Sequence, residues 1–319
     1  MKAVSLVAVA LLTLSVCHLN AETTEKENIV ETQEVKLEKE LTYDEHTLPD
    51  TYPYKNGTRE FQWDKIKEKL AYTDNLRTQK TGTWGVLQNK SNVHGEPALT
   101  KEHNSDEYHT ATDKYDVERN QAIPLYLASD LSAPERYAYD GSLVKITGQQ
   151  DSYVIAKMTD FDGEYLIPSK YIHTIADTPD FAKVVVVDRN NQNISTYEKV
   201  GDTWKVRSMN PCTTGAHNPP LQKPTPLGLF VIQQKEAKMA YYVDGTTKIG
   251  GYAPWANRFC EGAYIHGVPV NLPHTDIIEF SSTLGTIPRS HMCVRNAASH
   301  AKFVYDNFPV DQSLVYVIE

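Results

Sequence analysis

A histidine followed by glycine, His266-Gly267, stands 27 positions before the cysteine of Ser290-His291-Met292-Cys293-Val294-Arg295-Asn296. These are the residues of this chain whose types and spacing could do chemistry. A thiol is mostly protonated at neutral pH. An imidazole within reach can take its proton and hold it as a nucleophilic thiolate. On spacing alone a buried structural cysteine is the common alternative. His266, His291 and Cys293 also suggest a zinc site. Zinc would occupy the thiolate needed for attack, and no usual catalytic ligand set is evident.

Four cysteines are present: Cys17, Cys212, Cys260 and Cys293. Cys17 sits in an N-terminal segment with the layout of a cleaved leader. Lys2 precedes an apolar run from Ala3 to Leu14, and acidic sequence begins at Glu22. The run is too short for a comfortable membrane span. Residues 1–21 are therefore expected to be a signal peptide and the protein to be exported, to the periplasm or cell-wall space. Cys17 also allows a lipidated membrane anchor, although Val16 is a poor match before such a cysteine. If Cys17 leaves with the leader, three cysteines remain. An odd count in an exported chain suggests one free reactive thiol and two that can pair.

The net charge of −9 over 319 residues gives no overall basic field for nucleic acid. No zinc-finger spacing, phosphate-cradling loop or dinucleotide fingerprint occurs.

The elements that must position the cysteine and histidine are mostly strands. Residues 22–50 are rich in Glu, Thr and Lys and read as an acidic flexible linker. Residues 51–118 have no assignable role. Within them Trp63, Ile66 and Leu70 have helical spacing, and Trp84-Gly85-Val86-Leu87 reads as a short strand. The polar stretch with His103 and His109 reads as solvated loop, since no compact ligand spacing appears. From 119, short strands follow one another: Ile123 to Leu127, Leu143 to Thr147 and Tyr153 to Met158. Asp162-Gly163 then offers a hairpin turn. This suggests a small β-barrel, and residues 119–178 resemble a bacterial SH3-like domain. From 180 to 319 a second β-rich domain begins with Val184-Val185-Val186-Val187 and closes with Leu314 to Ile318. One helix is expected over Ala297 to Phe308, with Ala301, Val304, Tyr305 and Phe308 on one face.

Residues 180–319 resemble the L,D-transpeptidase catalytic domain. In that family a His-Gly, a variable stretch and a Ser-His-Gly-Cys-(Ile/Val)-Arg run carry the chemistry. Here these are His266-Gly267 and Ser290 to Arg295. Thr214-Gly215, then Thr225-Pro226-Leu227-Gly228 and a strand, match the family's supporting elements. Pro254-Trp255 and Arg258-Phe259 resemble its substrate-side segment. The resemblance implies a mainly β, sandwich-like catalytic domain with few helices, preceded by the small SH3-like barrel.

It also implies the roles. Cys293 attacks a stem-peptide carbonyl of peptidoglycan, His266 is its base, and the Gly267 carbonyl orients the ring. His291 holds the loop or tunes the thiol. Ser290, Met292, Tyr264, Trp255, Arg258 and Arg295 fall on the substrate side, with Arg295 open to a salt-bridge role instead. No metal or cofactor is called for, and carbapenem-type lactams are expected covalent inhibitors. Cys212 and Cys260 flank segments near the site, and a disulfide between them would stiffen the cleft.

Two departures stand out. Met292 occupies the family's glycine position, where a positive φ or close approach is wanted. The gap between His266 and Cys293 is long, so residues from about 270 to 288, with His274, read as an inserted lid. An NlpC/P60-type peptidase would need the cysteine before the histidine. A catalytically impaired wall-binding protein is the alternative from another class, with Met292 as its support.

Overall fold

A run that is apolar at every position, as Val184 to Val187 is, must be covered on both faces, because successive side chains of a strand point to opposite sides. The computed structural model describes residues 35–79, 81–100, 110–120, 122–175 and 179–319, and it places this run in the middle of a sheet. Val184 and Val186 pack in one core with Ile66, Leu70 and Trp84. Val185 and Val187 pack in another with Ile265, Val294 and Val304. The expected leader over 1–21 with Cys17, and the pair His103 and His109, lie outside the described residues.

In chain order the elements used below begin with β1 (Leu37–Lys39), α1 (Trp63–Thr78), β2 (Thr83–Leu87), β3 (Leu143–Gln150), β4 (Tyr153–Met158), β5 (Glu164–Pro168) and β6 (Ile172–Thr174). Next come β7 (Lys183–Asp188), β8 (Asn193–Val200), β9 (Thr203–Pro211), β10 (Gly228–Val231) and β11 (Gln234–Tyr242). The chain ends with β12 (Ile249–Cys260), β13 (Ala263–Gly267), β14 (Val294–Asn296), α2 (Ala298–Asn307) and β15 (Ser313–Ile318).

Three sheets carry the fold. The first has six strands in the order β1-β9-β8-β7-β15-β10, with β7 antiparallel to β8 and parallel to β15. The second has five in the order β5-β4-β3-β2-β6, and the third runs β11-β12-β13-β14. The third sheet and α2 cover one face of the first sheet. On the other face, α1 lays down Ile66, Leu70 and Leu76. Thr73, between them, hydrogen-bonds the Tyr316 hydroxyl of β15 at 2.8 Å. The protein is thus mainly β with few helices, as expected. No helix among the described residues is long and apolar enough to cross a membrane.

The expected divisions of the chain fare differently. The stretch 22–50 was read as a mobile linker, but its described part is folded. β1 runs parallel to β9, with Leu37 opposite Trp204. Two of its acidic residues find cations on the neighbouring strand: Glu38 pairs with Lys205 and Glu40 with Arg207. Leu37, Leu41 and Leu48 pack on the core, and an edge strand covered on one face needs few apolar residues. Residues 51–118 do not stand apart either. They supply α1 to the first sheet and β2 to the second. The region expected as an SH3-like barrel over 119–178 is a five-stranded sheet that takes β2 from before that boundary.

The second sheet meets the other two at Gly141. Its N–H donates to the Leu87 carbonyl at 2.7 Å, and its carbonyl accepts from Val231 at 3.0 Å. With φ at +91°, a Cβ here would lie 2.0 Å from the Phe259 carbonyl oxygen, so only glycine fits.

Candidate active site

Parallel pairing of β13 and β14 brings the two chemical motifs together. Ile265 lies opposite Val294 and His266 opposite Arg295, which sets Cys293 at the mouth of β14. The loop before Cys293 is braced from the Thr214-Gly215 and Thr225-Pro226 segments. The Thr214 carbonyl accepts from the Arg289 and Ser290 amides, and Thr213 exchanges backbone hydrogen bonds with Arg295 at 2.9 and 2.8 Å. Thr225 Oγ1 accepts from the Gly215 N–H at 2.9 Å and donates to the Met292 carbonyl at 2.7 Å. A Cβ on Gly215 would lie 2.2 Å from the Lys223 carbonyl oxygen and 2.7 Å from Met292 Cα. Ser290 Oγ donates to the Cys293 carbonyl.

His266 is buried, and its Nδ1 lies 2.6 Å from the Gly267 carbonyl oxygen. A carbonyl can only accept, so Nδ1 carries the proton and Nε2 is the basic nitrogen. Burial pushes the imidazole pKa down to about 4, with the Arg295 charge adding to the effect. Burial also pushes the Cys293 thiol up, against a backbone hydrogen bond at Tyr264 and the charges of Arg295 and Lys90. The sulfur is 3.6 Å from the Gly262 carbonyl oxygen, to which the thiol donates. The resting pair is therefore neutral thiol and neutral imidazole, not an ion pair.

Both open onto one cavity of about 890 Å³. Tyr264, Ser290, His291 and Arg295 line it as well. His291 Nε2 lies 3.0 Å from Asp244 Oδ1, at ion-pair distance but not aligned as a hydrogen bond. Among the described residues Arg295 meets no carboxylate at ion-pair distance, and its buried Nε has no hydrogen-bond partner.

The remaining expected site residues are elsewhere. Met292 turns its side chain away from this cavity, into the core beside Gly262 and onto a second cavity of about 410 Å³. Its φ is +82°, the conformation the family's glycine would adopt freely. Trp255 does not line the cavity: it packs edge-on against Tyr305 of α2. Arg258 does not line it either, and is buried in a salt bridge to Asp140 at 2.6 Å. Cys212 and Cys260 are separate, fully buried free thiols, so the expected disulfide is not formed.

The insert after β13 forms a wall through Ser281, Thr283 and Leu284. It is tied down rather than free, with the Glu279 carbonyl accepting from Ala298 at 2.8 Å and Thr283 O from Thr213 Oγ1 at 3.0 Å. His274 within it is exposed. Among the described residues, ligand-type atoms gather within 4.8 Å of one another at exposed Glu45, His46 and Glu279. Sequence reasoning missed Lys90, which reaches the cavity from the region left without a role. Nothing in its local sequence signals this, since the contact spans 174 positions to Tyr264.

Residues 182–317 match the YkuD family, the L,D-transpeptidase catalytic domain. No curated protein matches the chain. Among solved structures, it is similar to a fused Zn-dependent amidase/peptidase/peptidoglycan-binding domain-containing protein from Clostridium acetobutylicum. That likeness has 18% identity and a TM-score of 0.31, and covers 44% of this chain and 52% of the other. The chain thus spans about half the length of that relative. An L,D-transpeptidase from Mycobacterium smegmatis is 16% identical, covering 55% of this chain and 82% of the other at a TM-score of 0.36. L,D-transpeptidase 3 from Mycobacterium tuberculosis, solved with a faropenem-derived adduct, is 18% identical, with 59% and 72% covered at a TM-score of 0.34. At these TM-scores the assignment rests on the family match alone.

Proposed function

Residues 182–317 form a catalytic domain of the L,D-transpeptidase family, and on that premise we propose that the protein is a cysteine acyltransferase of peptidoglycan, with Cys293 as nucleophile and His266 as base. The observation that carries this reading is the tautomer of His266. With Nδ1 committed to the Gly267 carbonyl, Nε2 is free to take a proton in the cavity that holds the thiol.

The chemistry follows from the neutral pair. His266 Nε2 takes the Cys293 proton as the sulfur attacks the carbonyl between stem residue three and the D-Ala at position four. The carbonyl electron pair moves onto oxygen, where backbone N–H groups around Cys293 meet it. One such donor is worth about 3–4 kcal/mol of barrier. The C–N bond then breaks, the imidazolium returns its proton to the leaving amine, and a thioester remains on Cys293. An amine from a neighbouring stem attacks the thioester and gives its proton to Nε2. The sulfur leaves and is reprotonated, and a 3→3 cross-link results. Water in place of the amine gives a stem trimmed of its D-Ala. Arg295, which lines the cavity and among the described residues meets no carboxylate at ion-pair distance, holds a substrate carboxylate in this reading.

The wall-binding alternative leaned on Met292. That side chain lies outside the reacting cavity, which favours an active enzyme. The substrate lies outside the cytoplasmic membrane, so the proposal includes export through residues 1–21, with lipidation at Cys17 an added proposal. The mass of the mature chain distinguishes cleavage after residue 21 from a lipid on Cys17.

The decisive test is intact-mass spectrometry with a carbapenem, beside a Cys293→Ala control. One adduct is expected, absent from the control. Incubation with a disaccharide-tetrapeptide should then release D-Ala. Folded, reduced protein that gains no adduct and releases no D-Ala would overturn the reading.

A further inference from the structure

The cavity wall includes a lysine from outside the family match, in contact with Tyr264. Lys90 precedes that match by more than 90 residues, at the start of a single helical turn, Lys90–Asn92. Its backbone is held by a buried carboxylate. Asp140 Oδ1 accepts from the Asn89 N–H at 2.9 Å and the Lys90 N–H at 3.1 Å. The other oxygen, Oδ2, accepts from Arg258 at 2.6 Å, Gln233 at 3.0 Å and the Glu261 N–H at 2.8 Å. Asp140 is fully buried. One side chain thus ties the turn at residue 90 to β12 and the turn that follows it. The turn is rigid in its own right, because the Asn89 side chain bonds the Gly95 and Ala122 carbonyls and accepts from His94 N–H.

The ammonium that this platform delivers is half-buried and short of partners. Nζ donates to the Tyr264 hydroxyl at 2.6 Å and lies 5.0 Å from that ring's centre. An ammonium has three donors, and among the described residues no carboxylate reaches ion-pair distance of this one. The nearest acid stands one residue removed: Glu236 Oε1 accepts from Tyr264 at 3.1 Å and from Gln234 at 3.0 Å. The cavity's other acid, Asp244, faces His291. Arg295 also lines the cavity, and among the described residues it has no carboxylate at ion-pair distance. Burial already lowers the pKa of Lys90, which marks a cation whose lost hydration is not repaid within the protein. Two such cations in one cavity call for an anionic ligand.

We propose that Lys90 is a substrate-binding residue supplied from outside the family domain, and that it takes a carboxylate of the stem peptide that reacts at Cys293. The inference rests on the proposed function and deepens it. The second sheet, through its Asn89-Lys90 turn, becomes a part of the active site.

The test uses the full chain with Cys293→Ala as a non-reacting background, and titration calorimetry with a tetrapeptide stem and with versions amidated at one carboxylate at a time. Adding Lys90→Met should weaken the parent peptide about tenfold or more, while Lys90→Arg stays within about threefold. Amidating the one carboxylate that Lys90 meets should weaken binding as much when Lys90 is present, and cost nothing further in Lys90→Met. The pH profile of Cys293 alkylation by iodoacetamide, in the Cys293 protein, should move to higher pH in Lys90→Met, because the Lys90 charge holds the thiol down, while the loss of peptide binding is read separately in the Cys293→Ala background. The proposal is overturned if Lys90→Met leaves the dissociation constant unchanged, or weakens every amidated peptide as much as the parent. It is also overturned if the variant moves only the alkylation profile, since Lys90 would then act on the thiol. If the background protein with Lys90 intact binds no stem peptide, the proposed function itself has failed, and this inference with it. Binding that is indifferent to Lys90 removes this inference alone.

Discussion

Methionine at position 292 separates what a catalytic loop needs of its backbone from what it needs of its side chains. A methionine is expected to meet neither demand of the family's glycine, a positive φ or a close approach, at low cost. Instead the backbone keeps a positive φ, +82°, and the side chain leaves the site for the core, where it is 9% exposed. The conformation costs a non-glycine residue roughly 1–3 kcal/mol. Emptying a buried methionine costs roughly 2–5 kcal/mol. Packing therefore outweighs strain, and Met292→Gly should lower stability by about 1–2 kcal/mol in urea melts while leaving the carbapenem acylation rate within about threefold. A large loss of rate with intact folding would show that the methionine shapes the reacting geometry. At this scale the sequence was informative. That Cys293 and His266 share one cavity, with the His266 ring on the Gly267 carbonyl, was readable from two short motifs, because the resemblance rests on residue type. Arg258 and Trp255 misled, because an arginine and a tryptophan near a site read the same whether they face substrate or a buried partner such as Asp140.

At the scale of elements, the pairing of β13 with β14 aligns the two motifs, and the threonine at 225 locks the loop between them. Its hydroxyl serves two buried backbone groups, Gly215 N–H and Met292 C=O. Thr225→Val keeps the shape and strands both. Each unmet group costs about 1–3 kcal/mol, so the variant should lose about 2–5 kcal/mol in urea melts. Carbapenem acylation should slow with it. A loss below about 1 kcal/mol would mean that the loop finds other partners. Strands such as Lys183–Asp188 and Tyr153–Met158 were legible from alternation or from continuous apolar runs. β1 was not, since Glu38 within it and Glu40 just after it form ion pairs with Lys205 and Arg207 that only the folded sheet brings near.

Across the whole molecule, buried histidines set how acid is tolerated. His300 in α2 is fully buried, accepts from or donates to Ser208 Oγ at 2.8 Å, and is held by burial at about 3. An unfolded histidine takes its proton near 6.5. Between these values the unfolded chain binds more protons than the folded one, so stability falls as pH drops through that window. Measured by urea melts, the stability advantage of the wild type over His300→Gln should shrink by about 1.4 kcal/mol between pH 7.5 and 5.5. A constant advantage would mean that His300 takes up its proton as readily in the fold as in the unfolded chain. Domain boundaries were the least legible feature at this scale. Cutting by composition put breaks at 50 and 119, whereas the sheets take strands from both sides of each. Long-range pairing leaves no local mark in a sequence.

The double-sided burial of β7 carries a consequence for inheritance. Tyr197, Trp204 and Tyr316 face the helix at 63–78 and not the catalytic sheet. A gene fragment encoding only the family segment would present these aromatic rings to water. The cover supplied by the helix at 63–78 is accordingly part of the same folding unit, and recombination that exchanged the part before 180 for another module would have to bring a matching greasy lid along with it.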